Sequence, residues 1–310
     1  RREAMLDGQR APLEAPQARR PRGLNENYAR ELLELHTLGV DGGYTQQDII
    51  EVARALTGWT IRPPRSGTSA FVFNGATHDA AEKVVLGTRL SAGRGIEDGE
   101  QVLDLVARHP STARFIARKL AVRLVSDTPP AALVERAAAT FQRTDGDIRE
   151  VVRTIVTSPE FFSRANYRAK VKSPFEVVVS AARALGARPD TTAFTATVVG
   201  RLGQPIYGHQ APDGWPETGG EWMNTGAILQ RINFGLTIAA SRIPGARLSW
   251  WEPYARLHAA PRETQVDAVI DLLLGGEASP ETRKILATGE NPILERQGER
   301  TGMIDPGTRA

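Results

Sequence analysis

The chain has 310 residues, 41% of them hydrophobic and 24% charged, which is typical of a globular protein with one large or two ordinary domains. Its 39 basic and 36 acidic residues leave a net charge of only +3, so the charge balance gives no sign of nucleic-acid binding. Cysteine is absent, which excludes disulfide bonds, thiolate metal sites and a cysteine nucleophile.

The N-terminal segment, residues 1–23, is predicted to be an extended connector because it is rich in proline, arginine and alanine. The chain begins with Arg1 rather than with methionine, so we expect that the natural N-terminus and any signal peptide precede this sequence. No uninterrupted apolar run approaches the roughly 18 residues needed to cross a bilayer. We therefore expect no transmembrane segment in this chain.

Two helices are predicted after the connector. The first runs from about Asn25, a good N-cap, to Leu38, and Gly39 is its stop signal. The second begins after Thr45, which forms a capping-box pattern with Asp48. The short loop between these helices would also suit a helix-turn-helix DNA-binding protein, but the near-balanced charge is unfavourable for that function.

The first helix carries a carboxylate on its apolar face. At 3.6 residues per turn, Glu31 falls inside an arc of the helix that is formed by Leu24, Tyr28, Leu35 and Leu38. Burying a glutamate is unfavourable unless it is paired, protonated or bound to a ligand. One interpretation is an ion pair with Arg54 of the second helix; the other is a general base, or a metal or substrate ligand. His36 points about 140° away from Glu31, so it is either a satisfied core histidine or acts with a group from elsewhere in the fold.

The stretch after the second helix changes character. Phe71–Phe73 and Val84–Leu86 are short β-prone runs, which predict a small hairpin-like β insertion near residues 66–95. His78 and Asp79 are adjacent in this insertion and could donate to a metal ion or to a proton relay. Turn formation explains the aspartate equally well.

The rest of the chain is predicted to be helical. Helices are expected near residues 131–143, 147–157, 174–186, 190–202, 224–240, 263–274 and 280–288. The predicted fold is therefore mostly α, with a multi-helix globular body over residues 24–290 as a single domain. Residues 291–310 are expected to form a poorly ordered tail.

One loop of the helical part has the composition of a binding surface. Between residues 213 and 222 it contains two tryptophans and three acidic residues, Asp213, Trp215, Glu217, Glu221 and Trp222. Indole faces flanked by carboxylates suit a sugar ring, and paired acids suit glycosidic acid–base chemistry. The alternative is a long loop that its tryptophans pin to the core.

Blocks of the sequence resemble a known family. They are Gly23–Val40 with Ala53–Trp59, His78–Asp79 with Lys83 and Leu86–Gly87, Lys172–Glu176, and Pro212–Glu217 with Trp222–Gly226. Over roughly residues 1–275 the chain resembles DUF1800, a bacterial family of unknown function. The resemblance implies an exported protein whose relatives are longer at the N-terminus and are often encoded beside a sulfatase-like protein. It implies no particular reaction.

Two hypotheses follow. The first is an exported enzyme, periplasmic or extracellular, that acts on an envelope or extracellular polymer such as a glycan. Its candidate catalytic residues are Glu31 as the base, Arg54 as its orienting charge, His36, His78 and Asp79. Its candidate substrate-binding residues are Asp213, Trp215 as a wall, Glu217, Trp222 and Asn224. The second hypothesis is a non-catalytic binding or scaffold protein that works with an exported sulfatase-like partner. Metal and cofactor requirements stay open.

Overall fold

The computed structural model describes residues 23–62, 69–187, 193–242 and 251–289. These residues form two compact units that divide between Ser163 and Arg164. The mostly α fold is confirmed, since strands occur in the described residues only as two small antiparallel pairs. The predicted tail at 291–310 and all of the predicted connector except Gly23 lie outside these ranges. The single domain over residues 24–290 stays a prediction.

The first unit contains helices and the strand pairs. Its elements are α1 Glu26–Glu31, a π-helical segment Leu32–Thr37, α2 Gln46–Ala55, β1 Trp59–Ile61, β2 Phe71–Phe73, a 3-10 turn Gly75–Thr77, β3 Lys83–Val85, β4 Thr88–Leu90, α3 Glu97–Ala107, α4 Pro110–Leu124, α5 Ala131–Arg143 and α6 Ile148–Val156.

The β insertion is present, but the two predicted runs belong to different sheets. β2 pairs with β1, so that Phe73 lies opposite Trp59, and β3 pairs with β4. The second pair is a hairpin with the two-residue turn Leu86–Gly87, whose φ angles are 48° and 76°. Such a turn directs the chain straight back on itself. β3 therefore pairs with the strand that follows it rather than with β2.

Local signals at the first two helices are confirmed. Asn25 caps α1 by accepting a hydrogen bond from the backbone N–H of Tyr28, at 3.2 Å. Thr45 and Asp48 form the reciprocal capping box of α2. Gly39 ends the first helix with φ of 86°, a conformation that favours glycine.

The predicted apolar arc of the first helix is confirmed only in part, since Leu38 is buried but two other members of the arc are exposed. Leu24 and Tyr28 are 42% and 57% exposed, whereas the buried residues of this segment are Ala29, Leu33 and Leu38. The spacing from Leu33 to Leu38 is five residues, and the N–H of Leu38 donates to the carbonyl of Leu33 at 2.8 Å. This is the hydrogen bond of a π-helix, which an analysis at 3.6 residues per turn cannot anticipate.

Two apolar clusters form the core of the first unit. One joins α1, the π-helical segment, α2, α3 and the β3–β4 hairpin, and the other joins α4, α5 and α6. On α4 the buried side chains are largely small, with Ala113, Ala117 and Ala121 at four-residue spacing. A row of alanines lets α5 approach closely, so Leu133 and Ala137 are fully buried as well.

The second unit is helical throughout its described part. Its elements are α7 Pro174–Ala184, α8 Phe194–Arg201, a 3-10 turn Gly219–Trp222, α9 Thr225–Ala239, α10 Glu252–Leu257, α11 Arg262–Leu274 and α12 Pro280–Thr288. Ser173 and Glu176 form a capping box at the start of α7. Among its described residues, a smaller cluster that includes Val178, Val199 and Phe234 is buried. None of the helices described in either unit is long and apolar enough to cross a membrane.

Candidate functional site

Two candidate catalytic residues of the first unit form an ion pair. Arg54 donates from Nε to Oδ2 of Asp79 at 2.8 Å and from Nη2 to Oδ1 at 3.3 Å. Its Nη1 donates to Oε2 of Glu51 at 2.7 Å. The hydrogen bond from Arg54 lowers the pKa of Asp79 to about 2. Arg54 is thus engaged by Glu51 and Asp79, and the predicted Glu31–Arg54 ion pair is wrong.

His78 lies against a buried aspartate. Its Nδ1 is 2.8 Å from the carbonyl oxygen of Thr57, which can only accept, so Nδ1 carries a hydrogen. Its Nε2 lies 3.5 Å from Oδ2 of Asp98 without an aligned hydrogen bond. Arg94 places Nε 3.0 Å from Oδ1 of Asp98, as an ion pair whose N–H is not aligned as a hydrogen bond. Asp98 is fully buried.

Lys83 completes this cluster. Its Nζ donates to Oδ2 of Asp98 at 2.8 Å, to the carbonyl of Ala81 at 2.9 Å and to the carbonyl of Asp79. The side chain is 0% exposed, so all three ammonium hydrogens are satisfied inside the protein. The sequence placed Lys83 only in a family-like block. Its partner Asp98 gave no sequence signal, because only the fold brings them together.

The charges around Arg54, His78 and Asp79 therefore form one closed group, here called the buried charge cluster. Its anions are Glu51, Asp79 and Asp98, and its cations are Arg54, Lys83 and Arg94. The cluster fastens β3 and the preceding loop to α2 and α3. Equal numbers of opposite charges in contact are what burial of ionised groups requires.

Glu31 and His36 are not part of this cluster. No hydrogen bond or ion pair joins either residue to Arg54, His78 or Asp79 within the described ranges. Glu31 is half-buried at the junction between α1 and the π-helical segment, and we find no polar partner for it among the described residues. His36 is exposed and lines a cavity of about 390 Å³, here called the His36 cavity.

An ion pair forms the polar wall of the His36 cavity. Arg108, at the C-terminus of α3, donates from Nε to Oδ1 of Asp145 at 2.9 Å and from Nη2 to Oδ2 at 3.4 Å. Asp104 lies one turn earlier, with Oδ1 3.5 Å from Nη1 of Arg108. The hydrogen bond from Arg108 lowers the pKa of Asp145. The apolar part of the lining includes Ile116, Phe141 and Ile148.

The second unit holds a histidine–aspartate pair that the sequence analysis missed. Nε2 of His209 lies 2.7 Å from Oδ1 of Asp213. The ionised carboxylate only accepts, so Nε2 carries the hydrogen and Nδ1 is the acceptor nitrogen of the neutral ring. Among the described residues, Nδ1 has no hydrogen-bond partner, and the His209 side chain is 26% exposed. The four-residue spacing in a Gly/Pro-rich loop was the available signal.

The two tryptophans of this loop differ in exposure. Trp215 is half-buried, and its ring centroid lies 4.7 Å from that of His209 and 6.0 Å from that of Trp222. Trp222 is buried, and its Nε1 donates to the carbonyl of Pro216 at 3.0 Å. Trp222 therefore pins the loop to the core, and Trp215 is the indole within reach of a ligand.

The other two predicted substrate-binding residues, Glu217 and Asn224, lie before and after Trp222 in the sequence. Glu217 is exposed, and its backbone carbonyl accepts a hydrogen bond from Nζ of Lys170 at 3.0 Å. Asn224 caps α9 by accepting from the N–H of Ala227 at 2.9 Å, so its side-chain oxygen is already in use. A substrate role for these residues stays a prediction.

No metal-binding arrangement is seen in the part of the chain that the structure describes. No group of three or more histidine, aspartate or glutamate side chains there is placed to hold an ion.

Comparison with known proteins identifies the family. A family model described as "Protein of unknown function (DUF1800)" matches residues 4–303. No curated protein matches the chain, and neither does any solved structure. The family match covers nearly the whole sequence, so the chain belongs to the DUF1800 family.

Proposed function

We propose that this protein is an exported enzyme that acts on an envelope or extracellular polymer of the carbohydrate class, through the loop of His209, Asp213 and Trp215. The observation that carries the proposal is the orientation of His209. Its Nε2 is fixed by Asp213, while Nδ1 has no partner among the described residues and the ring is partly open to solvent. Export and a bacterial source are supported by the family resemblance alone.

The arrangement suits general base catalysis. A neutral imidazole with one nitrogen anchored to a carboxylate presents its other nitrogen as a proton acceptor of fixed orientation. Nδ1 of His209 would take a proton from the attacking water molecule, and the imidazolium would then return that proton to the oxygen that leaves as the chain is cut. Asp213 would stabilise the imidazolium that forms, because its Oδ1 is already 2.7 Å from Nε2.

Trp215 supplies the substrate-binding wall in this proposal. Its ring lies beside that of His209, so a sugar ring stacked on the exposed part of the indole would place hydroxyl groups near Nδ1. The buried neighbour Trp222 holds the loop in position. The exposed carboxylate of Asp213 would accept hydrogen bonds from the same hydroxyl groups.

The test is cleavage of a panel of bacterial polysaccharides, measured as new chain ends. We expect His209→Ala to lower kcat by about 100-fold or more, as for loss of a general base. Trp215→Ala should chiefly raise KM. His258→Ala removes an exposed histidine elsewhere in the second unit and is the matched control. Full activity in the His209 variant, or no cleavage of any polymer by the parent, would overturn the proposal.

A second candidate function is a non-catalytic scaffold that binds an exported sulfatase-like protein. The observation that favours it is the surface of α9, where Ile228, Leu229, Ile232 and Leu236 are exposed at three- and four-residue spacing. Exposed apolar rows of this kind occur at protein–protein interfaces. Co-expression with the neighbouring sulfatase-like protein should give a complex by light scattering, and Ile232→Lys should abolish it. If the parent protein stays monomeric when it is co-expressed with that protein, this function is ruled out.

A further inference from the structure

The His36 cavity combines an apolar wall with an unequal set of charges. Its charged lining residues are Asp104, Arg108 and Asp145, which leave one negative charge in excess when His36 is neutral. All three come from elements of the first unit, at the end of α3 and in the turn before α6. The volume of about 390 Å³ is within the range of small-molecule sites.

The excess charge can be assigned to one residue. Asp145 contacts Arg108 with both carboxylate oxygens, at 2.9 and 3.4 Å, which is the side-on geometry of a strong guanidinium–carboxylate pair. Asp104 makes only a loose contact with the same guanidinium, at 3.5 Å, and its side chain is 70% exposed. Asp104 is therefore the carboxylate that is free to pair with a ligand.

The backbone supports this geometry. Asp145 has φ of 51°, in the left-handed region that non-glycine residues seldom adopt, and this places its carboxylate on Arg108. The π-helical segment contributes His36 and Thr37 to the lining of the cavity. Rare backbone conformations thus shape two of its walls.

We propose that the His36 cavity binds a small amphipathic cation, a protonated primary amine on a short apolar or aromatic chain. The ammonium group pairs with Asp104 at the rim, and the chain packs against Ile116, Phe141 and Ile148. An anion is disfavoured because the guanidinium edge of Arg108 is already occupied by Asp145. The C-terminus of α3 adds a further partial negative charge at the same rim.

Two sources share this chemistry, a free amine and the lysine side chain of a peptide. The probes are 2-phenylethylamine for the first and Nα-acetyl-lysine amide for the second. The neutral alcohol 2-phenylethanol has the same shape as the first probe and lacks its charge. We expect the aromatic amine to bind more tightly than the lysine derivative because Phe141 lines the wall; the reverse order would assign the site to a lysine side chain.

Isoleucine methyl groups report binding directly. In the full chain with labelled isoleucine, NMR titration with 2-phenylethylamine should shift the signals of Ile116 and Ile148 in a saturable manner. Ile270, buried in the second unit, should not shift. Asp104→Asn should weaken binding about fivefold, the effect of losing one partly exposed ion pair. Glu100→Gln removes an exposed charge one turn earlier on α3 and is the matched control.

Three results would overturn the proposal. They are the absence of saturable shifts at Ile116 and Ile148, equal binding of 2-phenylethanol, and unchanged affinity in the Asp104 variant. Asp104 is exposed on the helix surface, so this variant should fold as the parent does, and its unchanged reference spectrum would show it. These outcomes are independent of the proposed polymer site, whose residues all lie in the second unit.

Discussion

The two units of this protein differ in which polar and apolar side chains they bury and which they expose. Every polar or charged side chain that is buried among the described residues belongs to the first unit, and the largest of them is Lys83. The described part of the second unit contains a small apolar cluster and leaves a row of leucine and isoleucine side chains exposed on α9. Its histidine–aspartate pair is also partly open.

This difference separates two roles that the same residue types can have. In the first unit, Arg54, His78 and Asp79 contact other charges inside the fold, and their geometry favours a stabilising role. In the second unit, His209 has one nitrogen fixed and one without a partner among the described residues, which favours chemistry. A motif of charged residues therefore does not by itself locate an active site. The His209 side chain, with its open nitrogen, is partly exposed to solvent, whereas the unpaired Nε2 of His78 is buried.

The sharpest way to break the comparison is to open the buried charge cluster. Asp98→Ala leaves Lys83 buried without its carboxylate, and we expect the free energy of unfolding of the first unit to fall by about 3–5 kcal/mol. Urea unfolding followed by circular dichroism measures this loss. The exposed Glu100→Gln variant on the same helix should change stability by at most ~0.5 kcal/mol. If Asp98→Ala lowers the free energy of unfolding by less than about 1 kcal/mol, its effect is close to that of an ordinary surface substitution. The cluster would then not be a structural element.

A second test compares glycines in the two units. A Cβ on Gly99 of α3 would lie 2.5 Å from the ring of Trp59, whereas a Cβ on Gly235 of α9 would meet no atom within 4 Å. We expect Gly99→Ala to destabilise the protein by about 1–3 kcal/mol through overpacking. Gly235→Ala should stabilise it by about 0.5–1 kcal/mol because alanine favours helix. Thermal unfolding of both variants measures the two changes in stability. Destabilisation by Gly235→Ala as well as by Gly99→Ala would contradict the assignment of the α9 surface as open.

Acid sensitivity provides a smaller effect. The pKa of Asp79 is lowered from 3.8 to about 2 in the folded protein, mainly by its hydrogen bond from Arg54. A carboxyl with a lowered pKa stabilises the fold above its unfolded value, and this contribution is lost as the pH falls from about 4 towards 2. The pKa shift sets an upper limit of about 2.5 kcal/mol, which solvent screening reduces because the side chain is one-third exposed.

The variant Asp79→Asn should remove this part of the pH dependence. Stability measured by urea unfolding between pH 5 and pH 2.5 should fall less steeply in the variant than in the parent. Asp41→Asn, which changes an exposed aspartate outside the cluster, should leave the slope unchanged. Parallel curves for parent and Asp79→Asn would show that the Arg54 ion pair adds no stability.

Most of the fold could be predicted because its signals are local. Helix starts at Thr45 and Ser173 depend on residues three positions apart, and both capping boxes are present. The π-helical segment could not be predicted, since its hydrogen bonds differ from those of an α-helix by one residue and the composition is the same. That difference accounts for the burial of both Leu33 and Leu38, whereas Leu24 and Tyr28 precede the segment and their exposure does not depend on it.

The buried charge cluster was harder to predict because its contacts are distant in sequence. Arg54 pairs with Asp79, 25 positions later, and Lys83 pairs with Asp98, 15 positions later. Nothing in the sequence distinguishes Asp98 from the other acids at the start of α3. The pair of His209 and Asp213 could have been predicted, because the two residues are only four positions apart in the same loop.

The π-helical segment has a consequence for chain length. Relative to an α-helix, Leu32–Thr37 accommodates one extra residue, and each residue turns a helix by about 100°. Deleting one residue between Leu33 and Leu38 would restore α-helical hydrogen bonds and bring these two residues to the four-residue spacing of one α-helical face, so Leu38 would stay in the core and Gly39 would stay against Phe115. The spacing from Leu33 to Leu38 therefore tolerates the loss of one residue, whereas a further inserted residue would turn Leu38 away from the core.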